Sequence, residues 1–304
     1  MPRASRSAIP WSSSEPRTGA PRKLLWIAGV AAVAGVAIAW ALGSALSAPA
    51  PRAIGAPPVG LDAEPCQFAS ESGSAIRCWI APGRTRGGAV VLAHSVRSNR
   101  LEMVGRALFL HAAGYAVLLF DAQAHGESPG DRITFGHLES RDAAAAVAFA
   151  RARFAHERIA YLGVSQGGAA ALLASPPLAV DALILEAVYP TLRGAVRDRI
   201  AIRLGPLAPI VAPLLLGQVS LRLGVGADAV APIAGIRQIR APLLLVAGER
   251  DRHTPLAESQ RLFAAAPEPK TLWTIPDAAH QDFHDFARAE YERRILDFLA
   301  RTLR

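Results

Sequence analysis

The sequence predicts an α/β fold, a mostly parallel sheet with helices on both faces, and two observations carry that expectation. Short apolar runs recur along the chain, and most are apolar at every position, as suits strands covered on both sides. Between them lie longer stretches whose apolar residues return at helical spacing, the alternation expected of parallel strands joined by crossover helices. The expected strands are Ala75–Ala81, Ala89–His94, Tyr115–Asp121, Ile159–Val164, Ala182–Val188, Leu243–Gly248 and Thr271–Pro276. Helical spacing is plain in Leu138, Ala145, Phe149 and Ala152, and again in Tyr291, Ile295, Phe298 and Leu299.

One interval breaks the rhythm. From Tyr189 to Arg240 the chain is longer than a single crossover needs, which predicts a small cap inserted over the sheet at about 190–240. Within it Leu204 to Gly217 is apolar but interrupted by Pro206, Pro209 and Pro213, too short and too broken to cross a membrane.

Ahead of the domain, expected over 60–304, stand three segments of different composition. Residues 1–23, rich in Ser, Pro and Arg, read as a disordered basic tail. No charge interrupts Leu24 to Leu46, and as a helix these residues would span about 34 Å, enough for a hydrocarbon core of about 30 Å. A single transmembrane helix is therefore expected at 24–46. The alternative is a secretion signal, cleaved after the small residues of Ser44-Ala45-Leu46-Ser47-Ala48, but its apolar region exceeds the usual length. Residues 47–59, with Pro49, Pro51, Pro57 and Pro58, read as a stiff extended linker. Positive residues crowd the N-terminal flank of the span, so the tail is expected in the cytoplasm and the domain outside it.

A net charge of +8 alone would suggest a nucleic-acid partner, but Arg3, Arg6, Arg17, Arg22 and Lys23 against Glu15 place half of it in the tail. The remainder forms no basic run interleaved with aromatics, and nucleic acid is not an expected partner. The two cysteines, Cys66 and Cys78, flank the turn-like Glu71-Ser72-Gly73-Ser74. A hairpin there would set them opposite one another, as a disulfide or simply as two small buried residues; the former suits an oxidising exterior.

The strongest chemical signal is the strand Ile159–Val164 running into Gly163-Val164-Ser165-Gln166-Gly167 and then into a small-residue helix start. This has the form of a nucleophile elbow, in which glycines at 163 and 167 avoid collisions with the neighbouring backbone and the turn lifts the hydroxyl clear of the sheet. Serine is a weak nucleophile until a base takes its proton, and the base needs an orienting carboxylate. Asp251 and His280 follow in order, each just beyond a predicted strand, on the side where open α/β sheets place their sites. Glu249, Asp277 and Asp282 compete for the acid role. His253 reads as loop surface or pocket rim, His94 and His125 as loop braces, and His284 with Asp282 and Asp285 as a solvated helix start rather than a metal site.

From about residue 70 onward the chain resembles the α/β-hydrolase superfamily, in particular its serine-aminopeptidase-like and Bem46-like branch. Leu92-Ala93-His94-Ser95-Val96 is similar to the oxyanion loop of that branch, Asp121 to Ser128 to its Asp-x-x-x-His-Gly-x-Ser segment, and Gly248-x-x-Asp251-x-x-x-Pro255 to its acid loop. The resemblance implies catalytic Ser165, Asp251 and His280, and an oxyanion hole from the backbone amides of Val96 and Gln166. The usual glycine after the histidine is Ser95 here, a departure that bears on the geometry of the Val96 donor. No metal or organic cofactor is implied. Hydrolysis of a small ester with a hydrophobic acyl group is expected; a peptidase, an acyltransferase or a catalytically silent exported binding domain are the alternatives.

Overall fold

The structure, a computed structural model, describes residues 19–303, so most of the predicted basic tail lies outside the described residues. Eight strands form one sheet: β1 (Glu64–Ala69), β2 (Ala75–Ala81), β3 (Ala89–Ala93), β4 (Ala116–Phe120), β5 (Ile159–Val164), β6 (Ala182–Glu186), β7 (Leu243–Gly248) and β8 (Lys270–Ile275). Their spatial order is β1-β2-β4-β3-β5-β6-β7-β8. All pairs are parallel except those made by β2, which runs against both neighbours.

The helices are α1 (Gly19–Ser47), α2 (Val104–Ala112), α3 (Glu139–Arg153), α4 (Gln166–Leu173), α5 (Leu192–Leu204), α6 (Ala208–Leu216), α7 (Val219–Leu223), α8 (Leu256–Ala265) and α9 (Arg288–Leu303), with shorter turns between. Because successive strand residues point to opposite faces, the sheet feeds two cores. Val91, Leu118, Tyr161 and Leu245 pack with α3, α4 and α8, whereas Val90, Leu119, Leu162 and Val246 pack with α2 and α9. Strands β3 to β7 are buried throughout, which is why their sequences are continuously apolar.

Three features depart from expectation. Strand β1, absent from the expected strands, carries only one buried position, Phe68; its hairpin with β2 is the expected one, with Cys66 opposite Cys78 and their sulfurs joined. Helix α1 begins at Gly19, inside the segment read as tail. The stretch read as a free linker is fastened to the domain: the Ala50 and Arg52 amides donate to the Ala124 and Gly126 carbonyls at 2.8 Å, and Ile54 N donates to Glu127 Oε1 at 3.0 Å. Proline at 49 and 51 alternates with the donors Ala50 and Arg52, which stay free to pair with one edge of the domain, so stiffness and docking coexist.

Residues of the predicted cap form α5, α6 and α7. Helix α5 is capped by Thr191, whose hydroxyl accepts from Gly194 N at 3.1 Å, and it turns at Gly205 to lay α6 against it.

Candidate active site

Parallel strands deliver their following loops to one edge of the sheet, and four of those loops carry the predicted site residues: Val96 after β3, Ser165 after β5, Asp251 after β7 and His280 after β8. Ser165 sits between β5 and α4 at φ 48°, ψ −108°, a conformation that costs a non-glycine residue about 1–3 kcal/mol and is held by what surrounds it. Its amide donates to Glu186 O at 2.7 Å, and its carbonyl accepts from Ala169 N at 2.9 Å. The flanking glycines are required by close approach. A Cβ at Gly163 would come within 2.6 Å of the Gly167 carbonyl carbon, and one at Gly167 within 2.5 Å of Ala93 O.

Asp251 is buried, and its two oxygens divide the work. Oδ1 accepts from the His253 and Thr254 amides at 2.7 and 2.9 Å, which fixes the loop, while Oδ2 lies 2.7 Å from Nδ1 of His280. The other carboxylates considered for that role are engaged elsewhere: Glu249 accepts from Thr274 Oγ1, Asp277 pairs with Arg250, and Asp282 pairs with Arg106. Asp282 Oδ1 also caps the turn at His284 and Asp285, and His284 contacts Glu292 at 2.9 Å. Asp282, His284 and Asp285 do gather their ligand atoms within 4.8 Å, but the Arg106 guanidinium on Asp282 answers its charge from within the protein.

His253 is more than rim. Its ring stands edge-on to that of His280, centroids 4.9 Å apart, and burial, then the neighbouring imidazole, hold its pKa below the usual histidine range. Although it lies two residues from Asp251 in sequence, it reaches His280 because the loop curls back on Asp251 Oδ1. His94 and His125 brace loops, as read. His94 Nε2 accepts from Ala122 N at 3.0 Å with Nδ1 against Ser95 O, and His125 Nδ1 contacts Gln123 O at 2.8 Å. Burial lowers the pKa of both, that of His125 to about 4.

The substitution at Ser95 has a local answer. Ser95 is not among the residues at positive φ, so its backbone does not demand glycine; the left-handed position falls on Arg97, at φ 59°. Glu102 Oε2 accepts from both Ser95 N and Ser95 Oγ at 2.9 Å, so serine supplies a second tether for the loop that presents Val96.

Val96, Ser165 and Gln166 border a cavity of about 160 Å³ beneath the cap, walled by Leu192, Val196 and Ile200 of α5, Leu215 of α6 and Leu46 at the end of α1. The contribution of Leu46 has no signal in the sequence, where it belongs to a membrane span. A larger open groove of about 630 Å³ lies between Ser72–Ser74, Pro129–Arg132 and Leu221–Gly224 and contains none of the predicted catalytic residues.

Under the elbow runs a buried ionic network. Arg106 of α2 pairs with Glu186 Oε2 at 2.7 Å and Asp282 Oδ2 at 2.8 Å, and donates to Tyr291 Oη at 3.0 Å, with Tyr291 also bonded to Glu186. It joins the end of β6, whose Glu186 carbonyl holds Ser165, to the loop of His280.

Comparison with known proteins supports the fold. Residues 85–225 match the family model described as serine aminopeptidase, S33. An uncharacterized protein of Mycobacterium tuberculosis strain H37Rv is 30% identical over 239 residues, covering 77% of each chain, and YfhR of Escherichia coli K12 is 26% identical, covering 79% of this chain and 82% of its own. Among solved structures, an esterase of Pyrococcus furiosus superposes with a TM-score of 0.70 at 22% identity, covering 85% of this chain and 99% of that one. A thermophilic esterase of Thermogutta terrifontis gives a TM-score of 0.56 at 17% identity over 79% and 99%. The chain belongs to the α/β-hydrolase superfamily, in its serine-aminopeptidase-like and Bem46-like branch.

Proposed function

We propose that the protein is a membrane-anchored serine hydrolase that cleaves carboxylic esters through an acyl-enzyme. The observation that carries this reading is the 2.7 Å contact between Asp251 and His280, on loops at the same sheet edge as the strained elbow of Ser165. In the proposed cycle Ser165 Oγ bonds to the ester carbonyl carbon while its proton passes to Nε2 of His280, and Asp251 stabilises the imidazolium through Nδ1–H. The amides of Val96 and Gln166 hold the oxyanion, aided by the positive end of α4. Collapse breaks the bond to the alcohol, which leaves with the proton from His280, and water repeats the sequence to release the acid.

The apolar wall of the cavity supports a hydrophobic acyl group, and the esterases among the structural neighbours accord with ester chemistry. The charged residues along the cavity are Arg97 and Arg199, and no carboxylate borders it among the described residues, so the free α-ammonium of an aminopeptidase substrate would meet like charge. Helix α1 serves as the anchor in this reading, with the basic tail cytoplasmic and the domain exported; the Cys66–Cys78 bond suits that side.

The test is labelling of the full-length protein by a fluorophosphonate, beside Ser165→Ala. Labelling of the parent and none of the variant is expected; an unlabelled parent, or equal labelling of both, removes the reading. A series of nitrophenyl esters should show kcat/KM rising with acyl length up to medium chains.

A further inference from the structure

The cap and the end of α1 share one surface. Along α6 and α7 the buried positions are Ala208, Ala212, Val219 and Leu223, and the opposite face, with Leu207 in the turn before it, presents Leu207, Ile210, Leu214 and Leu221 at 55, 68, 42 and 75% exposure. From Leu204 to Leu221 there is no charged residue, and charge returns just outside, at Arg203 and Arg222. A soluble domain rarely leaves such a face in water.

The position of this face is set by α1. The helix packs along α6, with Ala39 buried and Gly43 so close that a Cβ there would lie 2.6 Å from Gln218 Oε1. Arg222 of α7 donates to Trp40 O at 2.5 Å with its guanidinium 4.1 Å from the Trp40 ring. Arg97 Nη1 donates to Ala45 O and Ala48 O at 3.0 and 3.1 Å, which closes the end of α1 onto the loop that presents Val96. The rise from Gly35 to Leu46 is about 17 Å, roughly one leaflet of a hydrocarbon core about 30 Å thick. Whatever bilayer α1 crosses therefore also surrounds the segment it lies beside, and the outward face of that segment is apolar.

We propose that α6 and α7 are immersed in the leaflet at the C-terminal end of α1, and that the substrate of Ser165 is an acyl ester resident in that bilayer, its chain entering the cavity between Leu46 and Leu215. The second half rests on the ester-hydrolase reading above; the first does not. Arg203 then reaches toward headgroup level, where a long cationic side chain meets phosphate while its stem stays apolar, and Arg222, held about 9 Å below Leu46, has its charge answered by the Trp40 carbonyl and ring. Pro209 sits in the first turn of α6, where no intrahelical donor is lost, and Pro213 inside the helix frees one carbonyl, that of Pro209.

The full-length protein in vesicles of phosphatidylcholine and phosphatidylglycerol tests both halves. The native cysteines are paired, so Ile210→Cys accepts a polarity-sensitive thiol probe selectively, with Glu268→Cys as the control at the far end of the sheet. Quenching of the probe at 210, and not at 268, by nitroxide lipids is expected; equal quenching at both sites overturns immersion. For the substrate, Ile210→Glu and Leu214→Glu are compared with the parent on a soluble nitrophenyl butyrate and on a palmitoyl ester held in the vesicles. Exposed positions should leave the soluble rate within about twofold while the vesicle rate falls about tenfold or more, as charge is driven out of hydrocarbon. A parallel fall on both esters, or none on either, overturns the bilayer route. A parent inert to both esters and to fluorophosphonate removes the hydrolase reading and with it the substrate claim, while quenching still decides the cap.

Discussion

At the residue scale, Asp251 shows how a single atom exchange separates loop structure from chemistry. In Asp251→Asn one oxygen remains to accept from the His253 and Thr254 amides, so the loop keeps its shape. The new amide donates toward Nδ1 of His280 and places the ring proton on Nε2, where the base must be empty. Activity on a short ester should fall on the order of 10³-fold or more with the melting temperature little changed; a loss in proportion to lost folding would assign Asp251 to structure alone. The glycines at 163 and 167, the strained turn at Ser165 and the meeting of Asp251 with His280 were legible because each is a steric or chemical demand written at one position. The nearness of His253 to His280, and the double tether of Ser95 by Glu102, depend on where loops fold back in three dimensions, which spacing along the chain does not encode.

Among elements, the strands from β3 to β7 could be read directly because both their faces are buried. Strand β1 escaped because it lies at the edge with one buried side chain, although the turn beside it was recognisable. What joins the elements near the site is polar and was invisible in the sequence. Arg106 ties α2 to β6, to α9 and to the loop of His280, fully buried against Glu186. Its removal in Arg106→Met leaves an uncompensated carboxylate and should cost about 3–5 kcal/mol in urea unfolding, much of it recovered in the double variant with Glu186→Gln. No recovery in the double variant would show that shape rather than charge holds α2. On the opposite face Asp142 of α3 is buried and accepts from Ser70 Oγ at 2.6 Å and Gln123 N at 2.8 Å, and burial raises its pKa to about 6. With the folded value above the unfolded one, its contribution is fullest below pH of about 4 and is lost as pH rises through about 6. The melting temperature of Asp142→Asn relative to the parent should therefore climb between pH 4 and 7, and a difference that stays flat across that range would refute the buried-carboxyl account.

For the whole molecule, the question is whether α1 belongs to the mature protein. A cut after Ala48 would remove Leu46 from the cavity wall and free Arg97 from the carbonyls of Ala45 and Ala48, loosening the loop that bears Val96. It would also strip the Ser47 carbonyl from the Ile133 amide and leave the docked stretch at 50–52 as a bare end. It would uncover the face of α6 and α7 that α1 shields at Ala39 and Gly43. A signal segment needs none of these contacts, since it is discarded before the domain matures, whereas an anchor that completes the wall of the cavity beside Ser165 needs all of them. The composition of 47–59 suggested only a spacer, because hydrogen bonds from alternate amides of a proline-rich stretch leave no mark on hydropathy. The intact mass of the protein extracted from membranes should thus include α1, and Leu46→Trp, which fills the cavity mouth, should lower kcat/KM for long acyl esters by about tenfold while sparing acetyl esters. A mature chain beginning at Pro49 with full activity on long acyl esters would reduce α1 to a leader and leave the cavity to the cap alone.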